Sequence, residues 1–124
     1  MMQQDVRTIR QGSRQFPFTS AAIIASTPTT WYDLKSLFGY EADLWDYFDS
    51  LMVYNNSALP VHLYLNSPAD DYLILGYSAQ PVTRRAFRSF GLYNPDGAVD
   101  IAAGLITMQM RRLPPNVQPV VTTR

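Results

Sequence analysis

Apolar side chains recur at every second position in several short runs within residues 50–113, and this alternation constrains the fold more than any other feature of the chain. Leu51 and Val53 form the first run, and Val61 and Leu63 begin the second. A period of two places successive side chains on opposite faces of a β-strand, so each run predicts a strand with one buried face. Short strands separated by turns are typical of a β-sandwich or a β-barrel.

Turn-forming residues separate these runs and set the expected strand boundaries. The loop at residues 55–58 joins the first two runs and predicts that they pair as a β-hairpin, with Pro60 at the start of the second strand. The alternation also places Val99 and Ile101 on one face of a later strand. The remaining strands are expected at residues 16–25, 72–75, 82–90, 98–103 and 105–113.

One segment has the periodicity of a helix instead. Thr30 followed by Asp33 matches the pattern of a helix start, apolar residues then fall at helical spacing, and Gly39 stands where the helix would end. The acidic and aromatic residues at 40–48 keep this spacing over a further turn. We therefore expect one or two short helical turns in a mainly β protein.

The chain of 124 residues is short enough to form one folding unit. Residues 1–15 are polar and lack apolar periodicity, which predicts an extended N-terminal arm. Three prolines interrupt residues 114–124, which predicts an extended C-terminal tail. The body at residues 16–113 is expected to be a single antiparallel β-sandwich, either jelly-roll-like or immunoglobulin-like.

The composition excludes several kinds of reactive centre. The chain has no cysteine, which rules out thiolate catalysis, iron–sulfur ligation and cysteine zinc sites, and His62 is its one imidazole. Glu41, Asp43, Asp46 and Asp49 lie close together in sequence but lack the glycine-containing loop of a calcium site. We therefore expect no metal and no cofactor.

The motif that most resembles a catalytic one is also incomplete. Residues 76–80 resemble the G-x-S-x-G nucleophile elbow, but Gln80 replaces the second glycine and Pro81 leads into a strand instead of a helix. Asp70 and Asp71 are adjacent, and adjacent strand residues point to opposite faces. No glycine-rich phosphate loop occurs. The sequence therefore predicts a protein that is not an enzyme and takes no small-molecule substrate.

The charge content favours association with other proteins, and the apolar runs are too short for a membrane-spanning helix. Charged residues make up 16% of the chain, against about 25% in an average soluble protein, and a thinly charged surface favours association. No stretch approaches the roughly 20 apolar residues that a membrane-spanning helix needs.

The charges are also segregated along the chain. Residues 1–32 carry a net charge of +2, residues 33–71 a net charge of −6 and the remainder +4. Nine of the ten basic residues are arginine, which makes planar bidentate contacts and is enriched at interfaces. Segregated charges of this kind set the register between subunits. We predict a subunit interface that uses Arg7, Arg10, Arg14, Arg84, Arg85, Arg88, Arg111 and Arg112.

The order of features along residues 30–110 is a further guide to function. After the arginine-bearing arm comes the tryptophan-containing segment 30–39, then residues 55–66 with an asparagine-rich turn, Pro60 and an alternating apolar strand, and then residues 73–76. This order resembles small β-sandwich structural proteins of bacteriophage and virus particles. The resemblance implies a coat, decoration or minor capsid protein of the virion. Such a protein is assembled in the host cytoplasm and contacts copies of itself and other particle proteins.

Two other functions stay open at this point. A carbohydrate-binding β-sandwich module would use Trp31, Tyr32, Trp45 or Tyr47 as platforms on which sugars stack. A small barrel that binds single-stranded nucleic acid would use the arginines and phenylalanines of residues 84–90. The balanced net charge argues against the nucleic-acid function.

Overall fold

The computed structural model describes residues 15–39 and 47–113 of the chain. Within them lie eight β-strands and one short α-helix. Their bounds are β1 Phe16–Thr19, β2 Thr30–Asp33, α1 Leu34–Phe38, β3 Phe48–Asn55, β4 Val61–Leu65, β5 Asp71–Ile74, β6 Ser78–Phe87, β7 Ser89–Tyr93 and β8 Ile106–Arg111.

The strands form two antiparallel sheets of four strands each. The first sheet has the order β1-β8-β3-β6, and the second has the order β2-β7-β4-β5. The predicted mainly β fold with a sandwich architecture is confirmed. No helix among the described residues is long and apolar enough to cross a membrane.

The strand pairs are nested along the chain. β4 pairs with β5, β3 with β6, β2 with β7 and β1 with β8. A long antiparallel ribbon has therefore folded over on itself, and the additional pairs β3–β8 and β4–β7 complete the two sheets. This is the strand order of a jelly roll. Of the two sandwich types expected from the sequence, the strand order is therefore that of the jelly roll.

The core lies between the two sheets and is built from the alternating positions of the strands. β4 has the burial pattern of a strand with one face in the core, and so does β8. Phe18 of the first sheet packs edge-on against Phe90 of the second sheet at 5.0 Å. Within the first sheet, Phe48 packs edge-on against its strand neighbour Phe87 at 6.2 Å. Apolar burial is the main favourable term in folding, so the apolar side chains that face each other between the sheets hold the sheets together.

The predicted hairpin between the first two apolar runs is wrong. β3 pairs with β6 and β8, whereas β4 pairs with β5 and β7, so the two strands lie in opposite sheets. The loop between them crosses from one sheet to the other, and Asn55, the last residue of β3 before the loop, is fully buried. An alternating pattern shows that each strand buries one face, but it is the same for strands that pair and for strands that face each other.

The predicted strand at residues 82–90 is two strands. β6 ends at Phe87 in the first sheet and β7 begins at Ser89 in the second, so the chain changes sheets at Arg88. Phe87 and Phe90 are both buried, although a continuous strand would place residues three apart on opposite faces. The crossing at Arg88 allows both rings to enter the core.

Three local predictions also differ from the structure. The N-cap of α1 is Asp33 and not Thr30, because the Asp33 carboxylate accepts hydrogen bonds from the backbone N–H groups of Lys35 at 3.1 Å and Ser36 at 3.2 Å. The strands expected at 16–25 and 98–103 are reduced to β1 and a single bridge between Ile23 and Ile101. Ile101 is buried while Val99 is exposed, so they do not share a face.

Several predictions fall wholly or partly on residues that are not described. The N-terminal arm at 1–15, except Gln15, and the proline-rich tail at 114–124 lie outside the described residues, as do residues 40–46 of the second helical turn. Phe48, the last residue of that expected turn, instead begins β3.

Candidate binding surfaces

The sandwich has a basic end, defined here as the end at which β3 begins and β6 and β8 finish. Ser50 near the start of β3 is paired with Thr83 on one side and with Arg111 on the other. β1 also begins here, because Phe16 is paired with Met110. Five of the predicted interface arginines also belong to this end, namely Arg84, Arg85, Arg88, Arg111 and Arg112.

A β-bulge in β6 presents two of these arginines. Phe48 on β3 pairs with Phe87 on β6, and the next pair is Ser50 with Thr83. β3 thus advances by two residues where β6 advances by four, so the extra residues lie on β6, the edge strand of its sheet. Arg84 takes a φ of 63°, in the left-handed region that side chains other than glycine rarely adopt. A bulge of this kind bends an edge strand and redirects its side chains. Arg84 and Arg85 are both exposed as a result.

Arg85 links the edge strands of the two sheets. Its Nη2 donates to the Asp70 carboxylate at 2.7 Å, and its Nε donates to the Tyr72 hydroxyl at 3.0 Å. These bonds, the one to Asp70 first, raise the pKa of Arg85. The pKa of Tyr72 is also raised, mainly by burial. Because the Arg85 side chain is more than half exposed, this ion pair adds little stability and mainly fixes the position of the guanidinium.

Arg112 contacts Tyr47 at the same end of the sandwich, and Arg88 lines a cavity beside Tyr47. The Arg112 guanidinium lies 4.2 Å from the centre of the Tyr47 ring, and its Nη2 donates to the Tyr47 hydroxyl at 3.0 Å. Arg88, Tyr47 and Asn66 line a cavity of about 380 Å³. Asn66 accepts from the Arg88 backbone N–H at 2.9 Å and holds the crossing between the sheets. Tyr47 is therefore a partner of arginine and not an exposed sugar platform.

The opposite end of the sandwich, the apolar end, has a different chemistry. Its loops expose Ile24, Val99, Leu75 and Tyr77, the last with 76% of its surface exposed. The acidic residues of these loops are Asp96 and Asp100. Every lysine and arginine within residues 15–39 and 47–113 lies at the basic end, six in all, together with Asp33, Asp49, Asp70 and Asp71. The described residues therefore carry a net charge of +2 at the basic end and of −2, from Asp96 and Asp100, at the apolar end.

The outer side of the second sheet carries an aromatic face, made of Trp31 on β2, His62 and Tyr64 on β4, and Tyr93 on β7. The Trp31 and Tyr64 rings are nearly parallel, 26° apart, with centres separated by 6.1 Å. His62 lies 5.8 Å from Tyr64 at 19° and 6.0 Å from Tyr93. The strand register aligns these residues, because Trp31 and Tyr64 flank Gly91 in one row and His62 pairs with Tyr93 in the next.

The Trp31 indole packs directly against the backbone of Gly91. A Cβ at this position would lie 3.0 Å from Cδ2 and from Cε3 of the indole and 2.7 Å from Cγ2 of Thr29. Any larger residue would therefore push the ring away from the sheet. Trp31 is held against the backbone and still keeps 42% of its surface exposed.

Polar atoms border the aromatic face on the β5 side. Nδ1 of His62 lies 2.7 Å from Oδ1 of Asp71. The pKa of Tyr64 is raised by burial and, to a smaller degree, by the nearby Asp71 and Tyr93. The outward positions of the second sheet carry Asp33 and Asp71 but, within the described residues, no lysine or arginine.

The remaining sequence candidates occupy unrelated positions. Ser78 donates to the Leu75 carbonyl at 2.6 Å and begins a strand, so the elbow-like motif has no helix behind its serine. Asp70 contacts Arg85 and Asp71 contacts His62, in separate places. Tyr32 faces inward and stacks on Phe90 at 5.2 Å. Within the described part of the chain, no three His, Cys, Asp or Glu side chains form a group able to hold a metal.

The structure thus brings together a set of residues that the sequence analysis did not group. Tyr64 and Tyr93 were not singled out as exposed aromatics, and Trp45 lies outside the described residues. The available signal was the alternation itself, because His62 and Tyr64 occupy the positions opposite the buried Val61 and Leu63. No protein-family model, no curated protein and no solved structure matches the chain.

Proposed function

We propose that this protein is a non-enzymatic structural component of a virus or bacteriophage particle, assembled in the host cytoplasm, that acts through contacts with copies of itself and with other particle proteins. The observation that supports this most is the polarity of the sandwich, with arginines gathered at the basic end and exposed apolar side chains with two aspartates at the apolar end. The jelly-roll strand order is consistent with this role, since viral capsid domains use it.

The two ends suit a head-to-tail contact between copies. In such a contact the basic end of one copy would meet Asp96 and Asp100 of the next, and complementary charges would set the orientation. Burial of Val99 and Tyr77 would supply the apolar part of the interface. A contact between two different surfaces repeats from copy to copy, and the copies form a ring when the rotations between successive copies add up to a full turn. Repetition multiplies weak contacts into a stable assembly.

Sedimentation velocity of the full chain over a range of concentration and NaCl tests this proposal. We expect association that increases with concentration and weakens with salt, because exposed charges are screened. Arg111→Glu at the basic end and Val99→Asp at the apolar end should each reduce association about tenfold. Gln109→Glu is the matched control, since it adds a negative charge on the same strand and the same face as Arg111. A chain that stays monomeric at every concentration and salt would overturn the proposal.

The predicted N-terminal arm is tested in the same assay. Deletion of residues 1–14 should leave the body folded, because β1 begins at Phe16, and should weaken association. Replacement of Arg7, Arg10 and Arg14 by glutamine keeps the length and removes the charge, and should weaken association as well. Unfolding of the body on truncation, or unchanged association in both variants, would contradict a role of the arm in contacts between subunits.

A further inference from the structure

We propose that the aromatic face of the second sheet binds an uncharged glycan chain. The C–H faces of successive sugar rings would lie on Trp31 and Tyr64, and the sugar hydroxyls would bond to Asp71 and His62 at the border of the face. This inference goes beyond the structural role proposed above and is independent of it, because the aromatic face is distinct from both ends of the sandwich.

The ring geometry carries the first part of the argument. Sugars bind proteins by laying their apolar C–H groups against flat aromatic rings, which carry a negative face. Trp31 offers such a ring, held against Gly91 with 42% of its surface exposed. Trp31, Tyr64 and His62 follow one another at 6.1 and 5.8 Å with small angles between their planes. Because these ring planes are nearly parallel and lie in a row, successive sugars of one chain would meet successive rings.

The polar border carries the second part. The Asp71 carboxylate is fixed by His62 Nδ1 at 2.7 Å and has a second oxygen that can accept from sugar hydroxyls. The strand register pairs Asp71 on β5 with Tyr64 on β4, so the carboxylate and the phenol lie on the same face in neighbouring strands. A few polar groups beside an aromatic surface fix the orientation of a bound ligand. The border therefore supplies the directional contacts that the rings lack.

The charge of the face selects the class of ligand. Its outward positions include Asp33 and Asp71 and, among the described residues, no lysine or arginine. Nucleic acids and sulfated or sialylated glycans would need positive charge at this surface. The outer side of a sheet is open along its length, which suits an extended chain better than a buried small molecule. A neutral oligosaccharide or polysaccharide satisfies both conditions.

An array of neutral, sulfated and sialylated oligosaccharides, probed with the full chain, tests the inference. We expect binding to one or more neutral hexose chains. The glycan that binds most tightly is then titrated into the Trp45→Phe variant, in which Trp31 is the only tryptophan. The tryptophan fluorescence of this variant should shift on binding. Trp31→Ala and Gly91→Ala should each weaken binding about tenfold, because the first removes the ring and the second displaces it.

Tyr54→Ala is the matched control, because it removes an exposed aromatic ring from the outer side of the first sheet and should leave glycan binding unchanged. Circular dichroism verifies that each variant is folded. The fluorescence titration uses Trp45→Phe, which leaves the aromatic face unaltered, so it tests binding even if a variant of the face fails to fold. Absence of binding to every neutral glycan, or equal binding by folded Trp31→Ala, would overturn the inference. Salt-sensitive binding of sulfated glycans alone would do the same. Self-association should persist in Trp31→Ala, so the two proposals fail separately.

Discussion

Asn55 shows how one polar side chain can determine the path of the backbone. The residue is fully buried, and its Nδ2 donates to the carbonyls of Leu59 at 2.7 Å and Ile74 at 3.1 Å. Its Oδ1 accepts from the backbone N–H of Ser57 at 2.9 Å and from the Ser57 hydroxyl at 2.7 Å. An amide has two donors and one carbonyl acceptor with two lone pairs. Asn55 therefore uses its full capacity to connect the loop with β5.

We predict that Asn55→Ala lowers the free energy of unfolding by about 2 kcal/mol or more, because several buried backbone groups lose their partner. The neighbouring Asn56 is exposed, and Asn56→Ala is expected to change stability by less than about 0.5 kcal/mol. Urea unfolding, compared through the midpoint at constant slope, measures both. Equal effects of the two substitutions would mean that the Asn55 network contributes nothing specific.

At the scale of elements, the sequence was sufficient for most strands and insufficient for their partners. Alternation is a local property, so β3, β4 and β8 were each located from their own residues. The pairing of β3 with β6 depends instead on the loop at 55–60 crossing between sheets, which the turn-forming residues there do not reveal. The bulge at Arg84 likewise arises from the register between two strands and has no signature in either one alone.

The turn between β5 and β6 yields a prediction at this scale. A Cβ at Gly76 would lie 2.6 Å from the carbonyl oxygen of Ala58, and the adjacent Tyr77 N–H bonds to the Ser57 carbonyl at 3.0 Å. Because backbone atoms cannot give way as a side-chain tip can, Gly76→Ala should destabilise the protein by about 1–3 kcal/mol. Gly97→Ala, with nothing within 4 Å of the added Cβ, should be nearly neutral. Thermal unfolding of the two variants compares them, and similar midpoints would contradict this close approach.

At the scale of the whole molecule, the candidate surfaces differ in how many strands must come together to form them. The exposed position of His62 and Tyr64 follows from alternation within β4. The aromatic face requires β2 and β7 beside it, and the basic end requires Arg85 and Arg111, far apart in sequence, to reach the same end of the sandwich. These groupings result from the nested pairs together with the additional pairs β3–β8 and β4–β7, which bring strands that are distant in sequence side by side.

The same nesting predicts slow folding. Phe16 pairs with Met110 and Trp31 with Gly91, so these contacts can form only after long loops have closed, and the entropy of closure is lost before the contacts are gained. We expect refolding in roughly milliseconds to seconds, the range of proteins dominated by non-local strand pairing. Stopped-flow dilution from urea, followed by tryptophan fluorescence, measures the rate. The chain has nine prolines, so a double-jump experiment with brief unfolding is needed to separate proline isomerisation from the main phase. A main phase faster than about a millisecond would show that folding is limited by local structure and not by closure of the ribbon.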